Sequence, residues 1–395
     1  MNGIDMTRVR PAWAEIDLDS LAWNTRQIRK ITNENAAVCA SVKANAYGHG
    51  AARVAAAALE NGADSLSVAI LDEALELRAS GISAPILILG ALEQTRADEV
   101  VEHRLTQAIS TPAEAQALSA AAQKLGTRAS VHIKIDTGMG RLGFYYGTPS
   151  VYDDICEACS LPGIYAEGIF THFATADEAD PEYTEFQLGA FIGVCGVLSK
   201  RGLQIPVCHC SNSAAIAGFP GAHLNMVRPG ISLYGGAGVL PGAHHAKLPL
   251  RRVMSLRAKV ALVKVIPPGA SVGYGRRFIA KKETAVATLP IGYGDGYNRA
   301  LSFAGGQVLI KGRRAPIIGT ICMDLCMADV TGIAGVSAGD EAVLFGKQEG
   351  GEITVEELAQ KLGTIPYEIM CAAGRRIPRV YVSGGKPVEI VNCLR

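Results

Sequence analysis

No stretch of this 395-residue chain comes near the ~18 uninterrupted apolar residues that a membrane span needs, and the opening residues, MNGIDMTRVRPAWAEIDL, lack the apolar core of an export signal. A cytoplasmic protein that does not engage a membrane is the expectation. Charge of one sign is missing as well. The 38 Lys and Arg against 37 Asp and Glu leave a formal net charge of +1, with no basic run or basic helix face, so no nucleic-acid surface is expected and a small-molecule partner is favoured. The ten cysteines have no disulfide-framework spacing and several lie in apolar, strand-like runs, as buried thiols in a reducing compartment do. Cys156 and Cys159 form a C-x-x-C, and Cys208-His209-Cys210 offers further ligand types, but residues 151–160 read as helix and no second C-x-x-C stands at zinc spacing. No metal site is expected. No G-x-G-x-x-G opens a helix after the first strand, which argues against a nicotinamide enzyme.

Hydrophobic periodicity is what the chain does have. Through about residue 235, short β-branched runs alternate with helical patterns: AAVCASVK (36–43), DSLSVAI (64–70), PILILG (85–90), LTQAIS (105–110), ASVHIKID (129–136), IYAEGIFTHF (164–173), QIPVCHCS (204–211) and LNMVRPGIS (224–232). Asn61-Gly62 stops one helix, Asp72-Glu73 opens another, and Thr111-Pro112 opens a third with proline in the first turn. Eight strands each followed by a helix predict an α/β fold of the (β/α)8 barrel type, with a doubly wound sheet as the alternative. Beyond about residue 245, SLRAKVALVKVI, TAVATLPIGY, GQVLIKG and EAVLFGK read as strands between Gly/Pro turns, and only TVEELAQKLG, with a Thr354-x-x-Glu357 capping box, and YEIMCAAGRR read as helices. A barrel over 1–245 and a mostly β domain over 246–395 are expected, joined by VLPGAHHAKLPL.

Unusual polar residues stand where the strands end. Lys43 ends the first run, Lys134 and Asp136 the fifth and His172 the sixth; Asn212 and Ser213 follow the seventh, and Arg228 lies on the eighth. Barrel active sites are built at the carboxyl ends of strands, with phosphate commonly held by the last two loops. Here those loops supply the Ser213 hydroxyl and the backbone of Pro229-Gly230-Ile231, a credible phosphate cradle. Taken singly, each residue suits loop chemistry or a snorkelling lysine; five coincident strand ends do not. A lysine ending an apolar strand is partly desolvated, which makes a neutral amine available for Schiff-base formation, and Gly48 and Gly50 beyond it are expected to let backbone approach a ligand.

The string Val42-Lys43-Ala44-Asn45-Ala46-Tyr47-Gly48-His49-Gly50, followed in order by HIKIDTGMGRLG, THFATADE, HCSNSA, MVRPGISLYG, SVGYGRRF, IGYGDGYNR, GTICMD and RRIPRVY, resembles the alanine racemase family from about residue 11 to 381. The resemblance implies a pyridoxal 5'-phosphate enzyme interconverting L- and D-alanine, D-alanine being a precursor of peptidoglycan. It makes Lys43 the residue that carries the cofactor and also a base on one face of Cα, with Tyr274 the base on the other. Two bases are needed because a proton taken from one face must return to the opposite one. In the family that tyrosine comes from the partner subunit, which implies a homodimer with shared active sites.

Supporting roles follow from the same resemblance. His172 is expected to bond the tyrosine and Arg228, and Arg228 to face the pyridine nitrogen. A phenol titrates near ~10, about 4 kcal/mol uphill of neutrality, so a fixed cation in that chain eases its proton loss. Tyr47, Asn212, Ser213, Gly230, Ile231 and Tyr367 match cofactor-pocket positions. Arg141 and the backbone of Met323 match groups that hold the substrate carboxylate, and Lys134 a lysine that is carbamylated in some members. Tyr293 and Tyr367 would narrow the entrance to a small side chain. Thr320 replaces an arginine common in the family, a loss expected to alter the entrance corridor. A racemase of broader or serine preference is the alternative enzyme. A fold-related decarboxylase, which tends to carry an acid where Arg228 stands, and a non-catalytic cofactor carrier, which is a barrel alone, fit less well.

Overall fold

The computed structural model describes residues 4–236 and 248–394, so most of the expected linker and the boundary at 245/246 lie outside the described residues. The first strand, β1 (Ala12–Asp17), leads into a helix, Leu18–Ile31, whose first turn is capped by the Asp17 carboxylate accepting from the Ser20 N–H at 2.9 Å. Then come β2 (Ala37–Ser41), β3 (Ser65–Val68), β4 (Ile86–Ile88), β5 (Thr106–Ile109), β6 (Ala129–Asp136), the two-residue β7 (Phe144–Tyr145), β8 (Ile164–Phe170), β9 (Val207–His209) and β10 (Met226–Val227).

Eight of these pair in parallel in the order β5-β4-β3-β2-β10-β9-β8-β6, and β5 pairs with β6 to close the ring. All eight strands read from the sequence are present, and closure excludes a doubly wound sheet. The strands are short and apolar because helices cover them outside and side chains fill them inside; Val38, Ala40, Leu66, Val68, Ile86 and Ile133 are almost wholly buried. Helix Pro112–Lys124 starts with Thr111 and Glu114 bonding each other's backbone, as its sequence indicates.

The second unit contains β11 (Met254–Lys259), β12 (Leu262–Ile266), β13 (Ser271–Val272), β14 (Phe278–Ile279), β15 (Thr284–Leu289), β16 (Gln307–Ile310), β17 (Arg313–Pro316), β18 (Cys326–Asp329), β19 (Glu341–Gln348), β20 (Gly351–Ile353), β21 (Arg379–Ser383) and β22 (Lys386–Val391), with helices Val355–Leu362 and Pro366–Cys371. Its main sheet runs β17-β16-β19-β11-β1-β21-β22, with β20 on β19.

The N-terminal strand is therefore not part of the barrel. β1 pairs antiparallel with β11 and parallel with β21, so the stretch expected within 1–245 lies inside the second sheet. Its apolar alternation gave no sign of which sheet it would join. The Thr354 cap is also half of what was expected. The threonine accepts from the Glu357 N–H at 3.0 Å, but Glu357 pairs with Arg314 at 2.7 Å. Asn24, fully buried on the first helix, ties the units together by donating to Leu233 O (2.9 Å) and Arg251 O (2.7 Å) and accepting from Arg251 N (2.7 Å).

Candidate active site

Every polar residue picked out at the strand ends falls at one mouth of the barrel, because parallel strands place all their carboxyl ends together. Lys43 follows β2 after Val42 and begins a tight turn. Ala44, Asn45, Ala46 and Tyr47 all hold φ between 51° and 53°, the left-handed region that costs an L-residue roughly 1–2 kcal/mol each. Four such residues in a row persist only if the surroundings hold them. The Glu73 carboxylate accepts from Ala44 N (2.5 Å) and Ala69 N (2.7 Å), and Asn45 Oδ1 accepts from Ala51 N (2.8 Å).

The second domain holds the far end of the turn. Arg379, buried, donates to Gly48 O at 2.9 Å as well as to Gly374 O, Ile377 O and Ala373 O, and the Tyr381 hydroxyl donates to His49 O at 3.1 Å. The two glycines thus make room for protein and not for a ligand. A Cβ on Gly48 would lie 2.3 Å from Met370 O, and one on Gly50 1.8 Å from the Tyr381 hydroxyl. Glu73, Arg379 and Tyr381 are functional positions that sequence reasoning passed over, although the last two lie in the RRIPRVY string. Arg379→Met should strip the buried Gly48, Ile377 and Ala373 carbonyls of this donor and destabilise the protein by about 3–5 kcal/mol, read as a lowered unfolding midpoint in denaturant. An unchanged midpoint would contradict this role.

The lysine itself is half-buried, and burial first, then the nearby Arg141 charge, lowers its pKa. Beside it lies the cradle. Ser213 Oγ accepts from Gly230 N (2.8 Å), Ser232 N (3.3 Å) and Ser232 Oγ (3.0 Å). A Cβ on Gly230 would come 2.7 Å from the Tyr47 hydroxyl, so glycine keeps this backbone open. The Tyr47 ring packs on Tyr234 at 4.8 Å and on Tyr367 at 5.9 Å, and Ile231 is buried behind. Asn212, expected to touch a cofactor, has its side chain engaged otherwise: it caps helix Ser213–Gly218 by accepting from Ala215 N at 3.0 Å, and so fixes where Ser213 begins.

Arg228 is 5% exposed and forms no ion pair with a carboxylate among the described residues. Its guanidinium donates to Thr171 O (2.9 Å), Cys210 O (3.2 Å) and His172 Nδ1 (3.3 Å), and to His209 Nδ1 at 2.5 Å. Burial lowers it to about 10, still a cation at neutrality. Lys134 donates to Ile135 O at 2.7 Å, and burial, then Arg228, push it down to about 7.

The buried histidines titrate low. Burial holds His49 at about 4 and keeps His132, His172 and His209 below the ordinary 6.5. A histidine with a depressed folded pKa binds its proton more readily when unfolded. Stability should therefore hold above pH ~6.5 and fall as pH drops toward 4, by about 1.4 kcal/mol per pH unit for each such group. Denaturant unfolding across that window checks it, and a flat profile would refute it.

From the second domain, Tyr274 sits in a turn (Tyr274–Arg276) after Gly273, whose φ is +72°. Its ring is 74% exposed and its hydroxyl makes no hydrogen bond among the described residues, so within one chain it does not bond His172 as the resemblance led one to expect. Thr320, standing where the family commonly has an arginine, is 1% exposed and donates to Tyr274 O at 3.0 Å, fixing the tyrosine's backbone. Met323, Tyr293 and Tyr367 are exposed, as is Arg141. His209, passed over as a doubtful zinc ligand, is bonded by Arg228. All ten cysteines are free, and no His/Cys/Asp/Glu group among the described residues has the makings of a metal site. No helix among the described residues is long and apolar enough to cross a membrane.

Known proteins resemble this chain in sequence and fold. The family model described as alanine racemase, N-terminal domain, matches residues 16–238, and that for alanine racemase, C-terminal domain, matches residues 253–381. The alanine racemase of Clostridium tetani is 45% identical over 97% of this chain and 98% of its own. The solved alanine racemase of Clostridium difficile 630 superposes with a TM-score of 0.92 at 39% identity, covering 98% of this chain and 99% of its own. That of Bacillus anthracis, determined with bound L-Ala-P, gives 0.91 at 35% identity and covers 98% of both.

Proposed function

The chain belongs to the alanine racemase family and is an amino-acid racemase that interconverts L- and D-alanine, and from that premise we propose that it does so with pyridoxal 5'-phosphate held on Lys43 and with Lys43 and Tyr274 as opposed bases. The residues fit that cofactor. A half-buried amine of lowered pKa suits an aldehyde, the Ser213, Gly230 and Ile231 cradle with Tyr47 and Tyr367 suits a phosphate, and Arg228 suits a pyridine nitrogen. When bound, the cofactor supplies the electron sink that makes Cα–H acidic.

Arg228 does not give up its proton, so it leaves the ring nitrogen neutral and the sink weak, which favours returning the proton to Cα over decarboxylation. Lys43 holds or releases the proton on one face of Cα, and Tyr274 does so on the other. Arg141 and the Met323 backbone hold the substrate carboxylate, and Tyr293 with Tyr367 restricts the side chain to a methyl-sized group. A carbamate on Lys134 would turn a buried cation of depressed pKa into an anion facing Arg141.

The observation that carries this reading is the Tyr274 ring, 74% exposed with its hydroxyl unbonded on a domain separate from Lys43. A base so exposed is free to enter another subunit's barrel mouth, which supports the homodimer with shared active sites that we propose. Ten free thiols suit a cytoplasmic enzyme, and supply of D-alanine for peptidoglycan is its proposed use. Incubation with L-alanine in heavy water tests the chemistry. D-alanine carrying deuterium at Cα is expected, whereas D-alanine that keeps its original hydrogen throughout would exclude solvent-exchanging bases on two faces.

A further inference from the structure

Among the described residues Arg228 has no carboxylate against it, yet two hydrogen bonds and one longer polar contact lead to one. Arginine has only donors, so His209 Nδ1, 2.5 Å from Arg228 Nη1, must present a lone pair. A neutral His209 then carries its proton on Nε2, which lies 2.8 Å from His132 Nδ1. That nitrogen must accept in turn, which places the His132 proton on Nε2. There the next group is the Glu167 carboxylate, with Oε2 at 3.7 Å, and the same oxygen accepts from the Thr106 hydroxyl at 3.0 Å. Cation, imidazole, imidazole and anion follow one another across the barrel interior with every N–H pointing the same way.

The backbone is shaped for this. Along the β6–β8 pair Val131 stands opposite Ala166 and His132 opposite Gly168, so Glu167 is the extra residue of a β-bulge, a device that re-aims a side chain. Gly168 admits the imidazole: a Cβ there would lie 2.5 Å from His132 Cε1. Phe170 stacks on His209 with centroids 4.8 Å apart and planes 6° from parallel, which fixes the ring that Arg228 bonds. Burial keeps both imidazoles neutral, and His132 holds Glu167 below the usual carboxylate range. Simple satisfaction of buried polar groups would not require a bulge, a carboxylate and a one-way order together.

We propose that Glu167 is a positioning residue for racemisation: as the remote acceptor of the His132–His209 wire, it orders the imidazole protons and thereby fixes the plane of Arg228 at the mouth of the barrel. The inference rests on the assignment of Arg228 to the pyridine nitrogen made above. An arginine held by neutral rings keeps its full charge toward the cofactor, because its counter-charge lies at the far end of the wire, where the Glu167 side chain is 34% exposed.

Nitrogen-15 NMR of the holoenzyme labelled at histidine reads the tautomers directly, with no turnover required. The wild-type protein should show His209 and His132 neutral, each protonated on Nε2 and not Nδ1. Glu167→Leu removes the acceptor. It should mix the His132 tautomers and lower kcat about tenfold at a KM within twofold, less than the ~100-fold that a full ångström of misplacement costs. Glu167→Gln keeps an acceptor oxygen, so it should restore the tautomer order and most of kcat. A wild-type proton on either Nδ1 overturns the proposal even if no variant folds. So does a leucine variant that keeps both order and kcat, or a glutamine variant that behaves as leucine does. If the imidazoles are ordered but the protein does not racemise alanine, the wire stands and the functional reading above fails instead.

Discussion

Lys43→Ala is expected to give a folded protein that no longer retains pyridoxal phosphate through gel filtration and whose racemisation rate has fallen by at least about 10⁴-fold. One substitution removes two things: the amine that carries the cofactor, and the base on one face of Cα. General acid–base catalysis alone accounts for ~10²–10⁴-fold, so the combined loss should lie at or beyond the top of that range. The protein should fold because the left-handed turn is held from outside the lysine side chain, by Glu73 on Ala44 N and by Arg379 and Tyr381 on Gly48 O and His49 O. Absorbance of the bound cofactor and the approach of L-alanine to equilibrium measure the two losses. A coloured, active alanine variant would remove Lys43 from both roles.

How far the sequence showed this site depends on which kind of physics placed each residue. The barrel was legible because a parallel strand buried on both faces must be continuously apolar, and eight such runs separated by helical periods leave few topologies. The mouth was legible because charge at the end of an apolar strand, as at Lys43, Lys134 and Arg228, is costly unless it is used.

What escaped was non-local. β1 is one more apolar alternation, and only its pairing with β11 and β21 shows that it serves the second sheet. Arg379 and Tyr381 meet the lysine turn from more than 300 residues away (331 and 332), and nothing local to either of them announces the carbonyls they bond. Gly48 and Gly50 were rightly seen as close approaches, but a glycine does not say what approaches it. Glu167 drew no reading from the sequence, because only the bulge in β8 sets it beside His132. Thr320 was noted only as the loss of an arginine, and that difference did not show that its buried hydroxyl holds the Tyr274 backbone.

Tyr274→Phe separates the two bases more sharply than loss of activity can. The phenyl ring keeps the shape of the tyrosine and removes only the proton carrier. Because the ring is 74% exposed and its hydroxyl bonds nothing among the described residues of its own chain, folding of the single chain loses no hydrogen bond. Cofactor retention through Lys43 should be unchanged. Interconversion should fall by about 10²–10⁴-fold, the contribution of one positioned acid–base group. With Lys43 intact, however, one enantiomer still presents its Cα–H to a working base, and that enantiomer alone should exchange its hydrogen for deuterium in heavy water without inverting. Proton NMR of L- and D-alanine incubated separately reads the asymmetry, and the enantiomer that exchanges is the one whose Cα–H faces the lysine. Exchange that stays equal for both enantiomers, or racemisation at the parent rate, would mean that the phenol is not the second base. The same variant also bears on the subunit arrangement. A mixed dimer of one Lys43→Ala chain and one Tyr274→Phe chain should recover activity in one of its two sites only if each site draws its two bases from different chains. Each parent variant lacks one base in both of its sites, so a rate gained on mixing above the sum of the two parents can come only from that shared site.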